Sequence, residues 1–554
     1  MKTALILILL LLLLFLNYTN SFYISFPDEF DNLFGGLQVL KGNILYKDFF
    51  SHHGPVAYYF ASLIELISGR DFFVFRIAYQ CILWILSMLF VHFLIKNYGY
   101  KSGVTATIFF LIASLSSTYF WGHLLVADNL SGFFLSGAYI TLFYSLFKNK
   151  FSSKPIFFLI TFLSFLAAFT TYTFIIAAIV IYIFAFAELF FRKSPNIKKE
   201  FLIRIFLIAV PYLLYGGYLF LTKSFSDFYF ETVIFNKEYY VYGEAAEAKN
   251  LLELAYLLFI KFVNAYKSIL STINNFGSNN HFVYALFLGN TILWVFLLLT
   301  RRFRLFLLSF LLIVYVNIRN EPLNPGENDY QATPYILISL FNSVFALIYL
   351  WEIFLKKYSL LNKGVAAICL SALLSYSASY YSFVYDQWFY KINSQFQSKE
   401  PIYQSHPVSP FLNSLINKED YFLIGPFDPE SNFYAKGKVA SKYYFFVPAM
   451  DKSVKIREEL NLDIERNKPK IVIFNTEYSI FGIEPGKDFI KKLKNSYTNL
   501  EDIKSKIQYK NKIKFIGFFR YDLERHFFIR KDALDEVLKR MESAGYLKLS
   551  DKNP

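Results

Sequence analysis

The feature that most limits how this chain can fold is a series of apolar runs, each close to the length of a bilayer-crossing helix. A hydrocarbon core about 30 Å thick needs roughly 20 consecutive apolar residues in an α-helix. Runs of this kind fall at 4–16, 76–95, 103–119, 130–147, 155–171, 173–191, 202–221, 282–300, 304–318, 334–355 and 364–384. They predict about eleven transmembrane helices. Composition agrees, because only 18% of the 554 residues are charged and 55% are hydrophobic, whereas soluble domains carry about a quarter charged. The run after Lys2 ends in Asn-Tyr-Thr-Asn-Ser-Phe, which lacks a small-x-small cleavage site, so it reads as a retained span. The chain is expected to be a polytopic α-helical membrane protein.

The formal charge of +14 then has a topological meaning and does not call for nucleic acid. Lys and Arg collect in alternate short connections: Lys96 and Lys101; Lys148, Lys150 and Lys154; Arg192, Lys193, Lys198 and Lys199; Arg301, Arg302 and Arg304; Lys356, Lys357 and Lys363. The positive-inside rule places all five in the cytoplasm, with the N-terminus inside. The connections at 22–75, 120–129, 223–281 and 319–333, and everything after 385, are then extracytoplasmic. The 250–270 part of the long loop has helical apolar spacing and is expected to lie along the membrane surface. Cys81 and Cys369 are the only cysteines, so neither a disulfide framework nor a cysteine-based metal site is available. The seven histidines show no H-x-x-x-H or H-E-x-x-H spacing.

The unusual residues sit in the outside connections. Asp28, Glu29 and Asp31 follow Pro27 within four positions, and Asp48, His52 and His53 come next. Pro27 stops whatever precedes it, and Asp28 is suited to cap a short helix. Phe30, Leu33, Phe34, Leu37 and Leu40 recur at helical spacing as far as Gly42, which predicts an amphipathic helix in the membrane interface with its apolar face in lipid. His123 and Asp128 precede the fourth span, where Asp128 is a plausible N-cap. Arg319 opens a proline-broken polar loop that ends at Tyr330, and as a span-end arginine it is suited to snorkel to the interface.

Beyond residue 385 the chain changes character, and 386–554 reads as a soluble α/β domain. Strands are expected at 421–425, 443–447, 471–475 and 514–519, and helices near 428–435, 452–466 and 486–496. No G-x-G-x-x-G, Walker A or G-x-S-x-G motif occurs in it.

One span, then Asp28-Glu29, then Gly42, Leu45-Tyr46, Asp48-Phe49-Phe50, His53-Gly54-Pro55 and Tyr58-Tyr59, with Asp128 before the fourth span, resembles the GT-C superfamily of membrane glycosyltransferases. The pattern is most similar to the bacterial branch related to protein O-mannosyltransferases and aminoarabinose transferases. The 424–446 and 468–474 segments resemble the outside domain that many such proteins carry. The resemblance implies a GT-C module over 1–385, with a catalytic outside loop at 22–75, followed by an extracytoplasmic domain. It also implies inverting transfer of a sugar from a polyprenyl-phosphate donor to a hydroxyl of a lipid, glycan or protein acceptor. The place would be the outer face of the plasma (inner) membrane, among membrane lipids. No metal or cofactor is expected, because the outside loops offer two widely spaced acids and Arg or Lys can stabilise a phosphate leaving group.

By the same resemblance Asp28 is the catalytic base and Asp128 the second catalytic acid. Glu29, Tyr46, His52, His53, Arg319 and Tyr330 are substrate-binding, with Arg319 and Tyr330 beside the donor phosphate. A transferred sugar needs a carboxylate to take the acceptor proton and cationic or hydrogen-bonding groups for the departing phosphate. The rival from another class is a secondary transporter using Asp28 and Asp128 as coupling carboxylates, whose sites normally lie near mid-membrane on broken helices.

Overall fold

A computed structural model describes residues 2–150, 153–191, 197–240, 248–272, 281–317, 330–355, 367, 408–444, 446–475, 487–509 and 523–549. The apolar runs fold as helices: α1 (Lys2–Asn20), α4 (Phe72–Tyr98), α5 (Tyr100–Ser116), α6 (Ala127–Phe147), α7 (Lys154–Thr170), α8 (Ile175–Phe191), α9 (Ile197–Leu221), α12 (His281–Leu299), α13 (Phe303–Val316) and α14 (Thr333–Leu355). Between them lie α2 (Pro27–Leu40), α3 (Val56–Ser68), α10 (Phe225–Tyr229) and α11 (Leu251–Thr272), and α10 runs on through π-helical turns to Tyr240. By length and composition, six helices of the described residues can cross a membrane: α4, α6, α9, α11, α12 and α14. The expected span at 364–384 lies outside the described residues, apart from residue 367.

The 250–270 stretch forms the helix its apolar spacing predicts, α11, which by length and composition alone could also cross a membrane. It lies against the bundle, with Phe262 on Phe310 at 5.5 Å and Tyr266 on Phe287 at 4.8 Å between ring centroids. The amphipathic helix α2 does form, but its apolar face is not in lipid. Phe30, Leu33 and Phe34 are buried inside the protein, because α3 covers one side of them and the C-terminal α/β unit the other.

Small residues allow that burial. At Gly35 an added Cβ would lie 2.2 Å from the ring of Tyr58, and at Gly36 one would lie 2.9 Å from Ala61 Cβ. α2 and α3 therefore cross at backbone contact. At 13 residues α3 is about 20 Å long, too short to span.

The bundle is cross-braced by polar groups within its apolar interior. Tyr139 donates to Asn342 Oδ1 (2.6 Å), Asn342 donates to Asn290 Oδ1 (2.8 Å), Asn290 donates to Ser339 Oγ (3.0 Å), and Trp294 donates to Ser309 Oγ (2.9 Å). These bonds tie α6, α12, α13 and α14 together in register. They also fix the two helices whose N-termini bear on the acid-rich corner. At the far end of α6, Arg302 donates to the Phe147 carbonyl (3.1 Å) and Lys150 to that of Asn97 (3.4 Å). Basic connections thus gather at the end of the bundle opposite Asp28 and Asp128.

The C-terminal part is a small α/β unit. Its five-stranded sheet has the order β2-β1-β3-β6-β4, from β1 (Tyr421–Gly425), β2 (Lys438–Val439), β3 (Ile471–Phe474), β4 (Tyr497–Asn499) and β6 (Phe527–Arg530); β5 (Ile507–Tyr509) and β7 (Leu547–Leu549) form a separate ribbon. β2, β1 and β3 are parallel, with Phe422 opposite Ile471 and Ile424 opposite Ile473. The crossover from β1 to β3 contains α15 (Pro429–Tyr434) and α16 (Val454–Asn467).

Alternation along these strands sends Phe422, Ile424, Ile471 and Ile473 to one core. It sends Leu423, Val472 and Phe474 to another, continuous with the interior of the membrane module. α15 seats on α2 through Phe433 and Tyr434 against Phe30, and Arg70 donates to the Ala435 carbonyl (3.0 Å). Among the described residues of the expected strand at 443–447, none is in a strand. Tyr443 and Tyr444 turn out of the sheet to reach Glu459 and Asp31. The expected strand at 514–519 lies outside the described residues.

Candidate active site

The acids of α2 separate by helical geometry. Phe26 holds the N-cap position in extended conformation and Pro27 takes the first turn, so Asp28 stands inside the helix and is not its cap. Asp128 likewise stands within the first turn of its helix, behind the N-cap Val126. The N-terminal dipole favours both carboxylates. Asp28 is half-buried and its Oδ2 accepts the phenol of Tyr330, just before α14. Tyr330 stacks on Phe26 at 5.5 Å, and Phe26 meets Trp121 at 5.1 Å. Asn32 donates both to the Asp28 carbonyl (2.9 Å) and to that of Leu125 (3.2 Å). The first turn of α2, the 121–129 loop carrying buried Asp128, and Tyr330 therefore share one corner, at one end of the bundle.

Glu29 faces the other way. It is 0% exposed and paired with equally buried Arg76 of α4, Nε to Oε1 at 3.0 Å. The same guanidinium donates to the carbonyls of Tyr23 (2.6 Å) and Ile24 (3.0 Å), and Leu125 N–H donates to Glu29 (3.3 Å). Burial raises the Glu29 pKa, and Arg76 opposes that. This pair fixes the chain entering α2.

Asp31, three residues on from Asp28, was not singled out as a site residue by the sequence. It is buried and accepts two phenols, Tyr58 at Oδ2 and Tyr444 at Oδ1, both at 2.9 Å. Burial pushes its carboxyl up to about 7 against the pull of those bonds, and neighbouring Asp28 adds to the rise. The spacing of three residues puts Asp28 and Asp31 on adjoining faces, a signal that was available. Tyr444, 413 residues away, gave none.

Behind Asp31 the loop between α2 and α3 is stitched in place. Tyr58 spends its proton on Asp31, so the Ser51 hydroxyl 2.8 Å away must donate to it, while His53 N–H donates to Ser51 (3.0 Å). Ser51 N–H donates to buried Glu231 (2.9 Å), and Phe50 N–H to the Lys442 carbonyl (3.0 Å). Lys442 Nζ lies 3.2 Å from Glu459, 3.4 Å from Glu231 and 3.8 Å from Asp227. Burial disfavours its charge, but these acids outweigh that and raise its pKa. Burial drives the Glu231 carboxyl well up, with Lys442 opposing.

Tyr46 sits in the same loop with φ 70 and no exposure, its hydroxyl donating to the His53 carbonyl (3.0 Å). Left-handed backbone at an aromatic residue is rare and concentrates at functional loops. His52 is buried against Tyr240 at 4.3 Å, and its ring centroid is 4.0 Å from that of half-buried His53. Asp48 Oδ2 caps its own turn by accepting Ile44 N–H (2.7 Å). Arg319 lies outside the described residues. Among the described residues no group of three or more His, Cys, Asp or Glu is placed to hold a metal ion.

Two solved structures are similar to this chain across nearly its whole length. The crystal structure of ArnT from Cupriavidus metallidurans bound to undecaprenyl phosphate has 10% identity and a TM-score of 0.48, covering 95% of this chain and 97% of that one. The apo state of the same protein gives 10% identity and a TM-score of 0.49, covering 95% and 98%. No family model and no curated protein matches the chain.

Proposed function

We propose that this protein is an inverting glycosyltransferase. It moves a sugar from a polyprenyl-phosphate donor to an acceptor hydroxyl at the outer face of the plasma membrane. The observation that carries the reading is Asp28: a half-buried carboxylate held by the Tyr330 phenol, at the bundle end away from the basic connections, with Asp31 and Asp128 buried close by. Its place at one end of the bundle, away from the bundle's middle, also speaks against a mid-membrane coupling site.

In this reading the acceptor O–H gives its proton to Asp28 as the oxygen attacks the anomeric carbon. The new C–O bond forms as the bond to phosphate breaks on the opposite face, inverting the centre. The electron pair leaves with polyprenyl phosphate, a stable anion that needs no proton. Arg319, Tyr330 and the His52–His53 pair are the residues assigned to that phosphate, and a histidine there helps most when protonated. Asp128 is assigned as the second acid, positioning the acceptor or the loop around the base, and the Glu29–Arg76 pair holds the helix that carries Asp28.

The test is Asp28→Asn in purified protein, with donor binding measured alongside transfer. Asn preserves shape and cannot take the proton. Donor binding is expected to survive while turnover falls roughly 10²–10⁴-fold, the usual worth of a positioned base. Wild-type turnover in this variant would remove Asp28 from catalysis and the reading with it.

A further inference from the structure

Nothing in the motifs gives the C-terminal α/β unit a role, yet its segment 441–444 contacts α2 and the 50–53 loop through specific hydrogen bonds as well as packing. Tyr444 is buried, packs on Phe34 of α2 at 4.3 Å, and donates to Asp31 at 2.9 Å. Next to it, Tyr443 hydrogen-bonds Glu459 of α16, and the Lys442 carbonyl accepts Phe50 N–H while its ammonium sits among Glu231, Glu459 and Asp227. Ser441 anchors the near end by donating to Asp463 (2.8 Å). The segment is fastened to its own domain at one edge and holds Asp31, the 50–53 loop and the Glu231 turn at the other.

We propose that this segment is a strap that completes the active site, and that Tyr444 is a positioning residue acting on Asp31 and, through α2, on Asp28. The inference rests on the transferase reading for what the site does, but not for how Tyr444 acts on Asp31.

The physical argument is one of alternatives. Apolar docking is already supplied by Phe433 and Tyr434 on Phe30, so a phenol aimed at a carboxylate adds orientation more than area. A hydrogen bond to a charged acceptor favours the ionised form. The groups facing Asp31 are Tyr58 from α3, Tyr444 from the strap and Asp28 from its own helix, with Glu231 acting on Tyr444 from the turn beyond. Two phenols favour the carboxylate and Asp28 disfavours it. Removing one phenol tips that balance towards the protonated acid.

The experiment uses full-length protein in detergent and the variant Tyr444→Phe, which keeps the ring on Phe34 and loses only the hydroxyl. The protonated-carboxyl infrared band of Asp31, assigned by its loss in Asp31→Asn, is expected to titrate about one pH unit higher. Turnover is expected to fall about tenfold, with the acidic limb of the pH–rate profile moving up by the same unit and the KM for donor changing less than about twofold. Tyr58→Phe, the other donor, shifts the band the same way and serves as a control; if Tyr444→Phe fails to fold, a fluorotyrosine at position 444, which keeps the ring and donates more strongly, is expected to shift the Asp31 band to lower pH. An unmoved band and an unmoved pH profile would overturn the proposal, since a merely structural tyrosine lowers melting temperature and nothing else. The infrared readout needs no transfer activity. A shifted band in a protein that transfers nothing therefore refutes the transferase reading and leaves the strap standing.

Discussion

The Glu29–Arg76 pair allows the sharpest separation of architecture from chemistry, because Glu29 adjoins Asp28 in sequence and faces the opposite way. In Glu29→Gln the carboxylate becomes neutral at nearly constant volume. The Arg76 guanidinium remains charged and 0% exposed; the Tyr23 and Ile24 carbonyls and one amide oxygen can still accept from it, but the negative charge paired with it is gone. Stranding one partner of a buried pair costs about 3–5 kcal/mol, more than two powers of ten in the folded-to-unfolded ratio. The double variant Glu29→Met/Arg76→Met removes both charges. It leaves two carbonyls and the Leu125 N–H short of partners, and should lose less than the sum of the single changes, with a coupling of about 1–3 kcal/mol. The assay is the surviving monodisperse fraction after heating in detergent, with transfer measured per folded molecule. Glu29→Gln should melt well below wild type yet turn over more than Asp28→Asn does. Wild-type melting in Glu29→Gln, or strict additivity in the double variant, would refute the reasoning.

Three further outcomes follow from the same geometry. Burial pushes the Glu65 carboxyl up to about 9, against the pull of Arg70 and Lys41; a raised acid contributes stability that is present below its unfolded pKa and lost as pH rises to the folded one. Glu65→Gln should therefore gain on wild type from about pH 4.5 to about 9 in melting scans, and a pH-independent difference would refute this. Gly35→Ala places a methyl 2.2 Å from the Tyr58 ring, so the phenol must leave Asp31. An overpacking loss of about 1–3 kcal/mol with reduced turnover is expected, and unchanged melting and turnover would contradict it. A C-terminal reporter active only in the cytoplasm should be silent if the positive-inside reading holds, and an active one would reverse every assigned side.

Much of the bundle was legible because lipid imposes one requirement, a run of apolar residues long enough to cross, and sequence displays that directly. The 72–98 and 127–147 helices stand within a few residues of the runs that announced them. The acid-rich stretch was equally visible, as charge where charge is rare. Less visible was what each acid does. Asp28 read as a cap because capping is the commonest use of an aspartate after a break, but Pro27 takes the first helical position and moves the cap back to Phe26. The apolar stripe of α2 was assigned to lipid because sequence cannot distinguish lipid from a second protein layer. Asp31 lacked a visible role because its donors come from Tyr58 and from Tyr444, and the run at 443–447 that supplies Tyr444 looked like any buried strand.

That long reach also has a consequence in time. Asp31 leaves the ribosome 413 residues ahead of Tyr444, which at 5–20 residues per second is about 20–80 s of synthesis. Throughout that interval the bundle can insert and the Glu29–Arg76 pair can close, while the acid-rich corner still lacks its last phenol. Assembly of the corner therefore waits on residue 444, and a chain cut short between residues 128 and 444 carries Asp28, Asp31 and Asp128 without the strap.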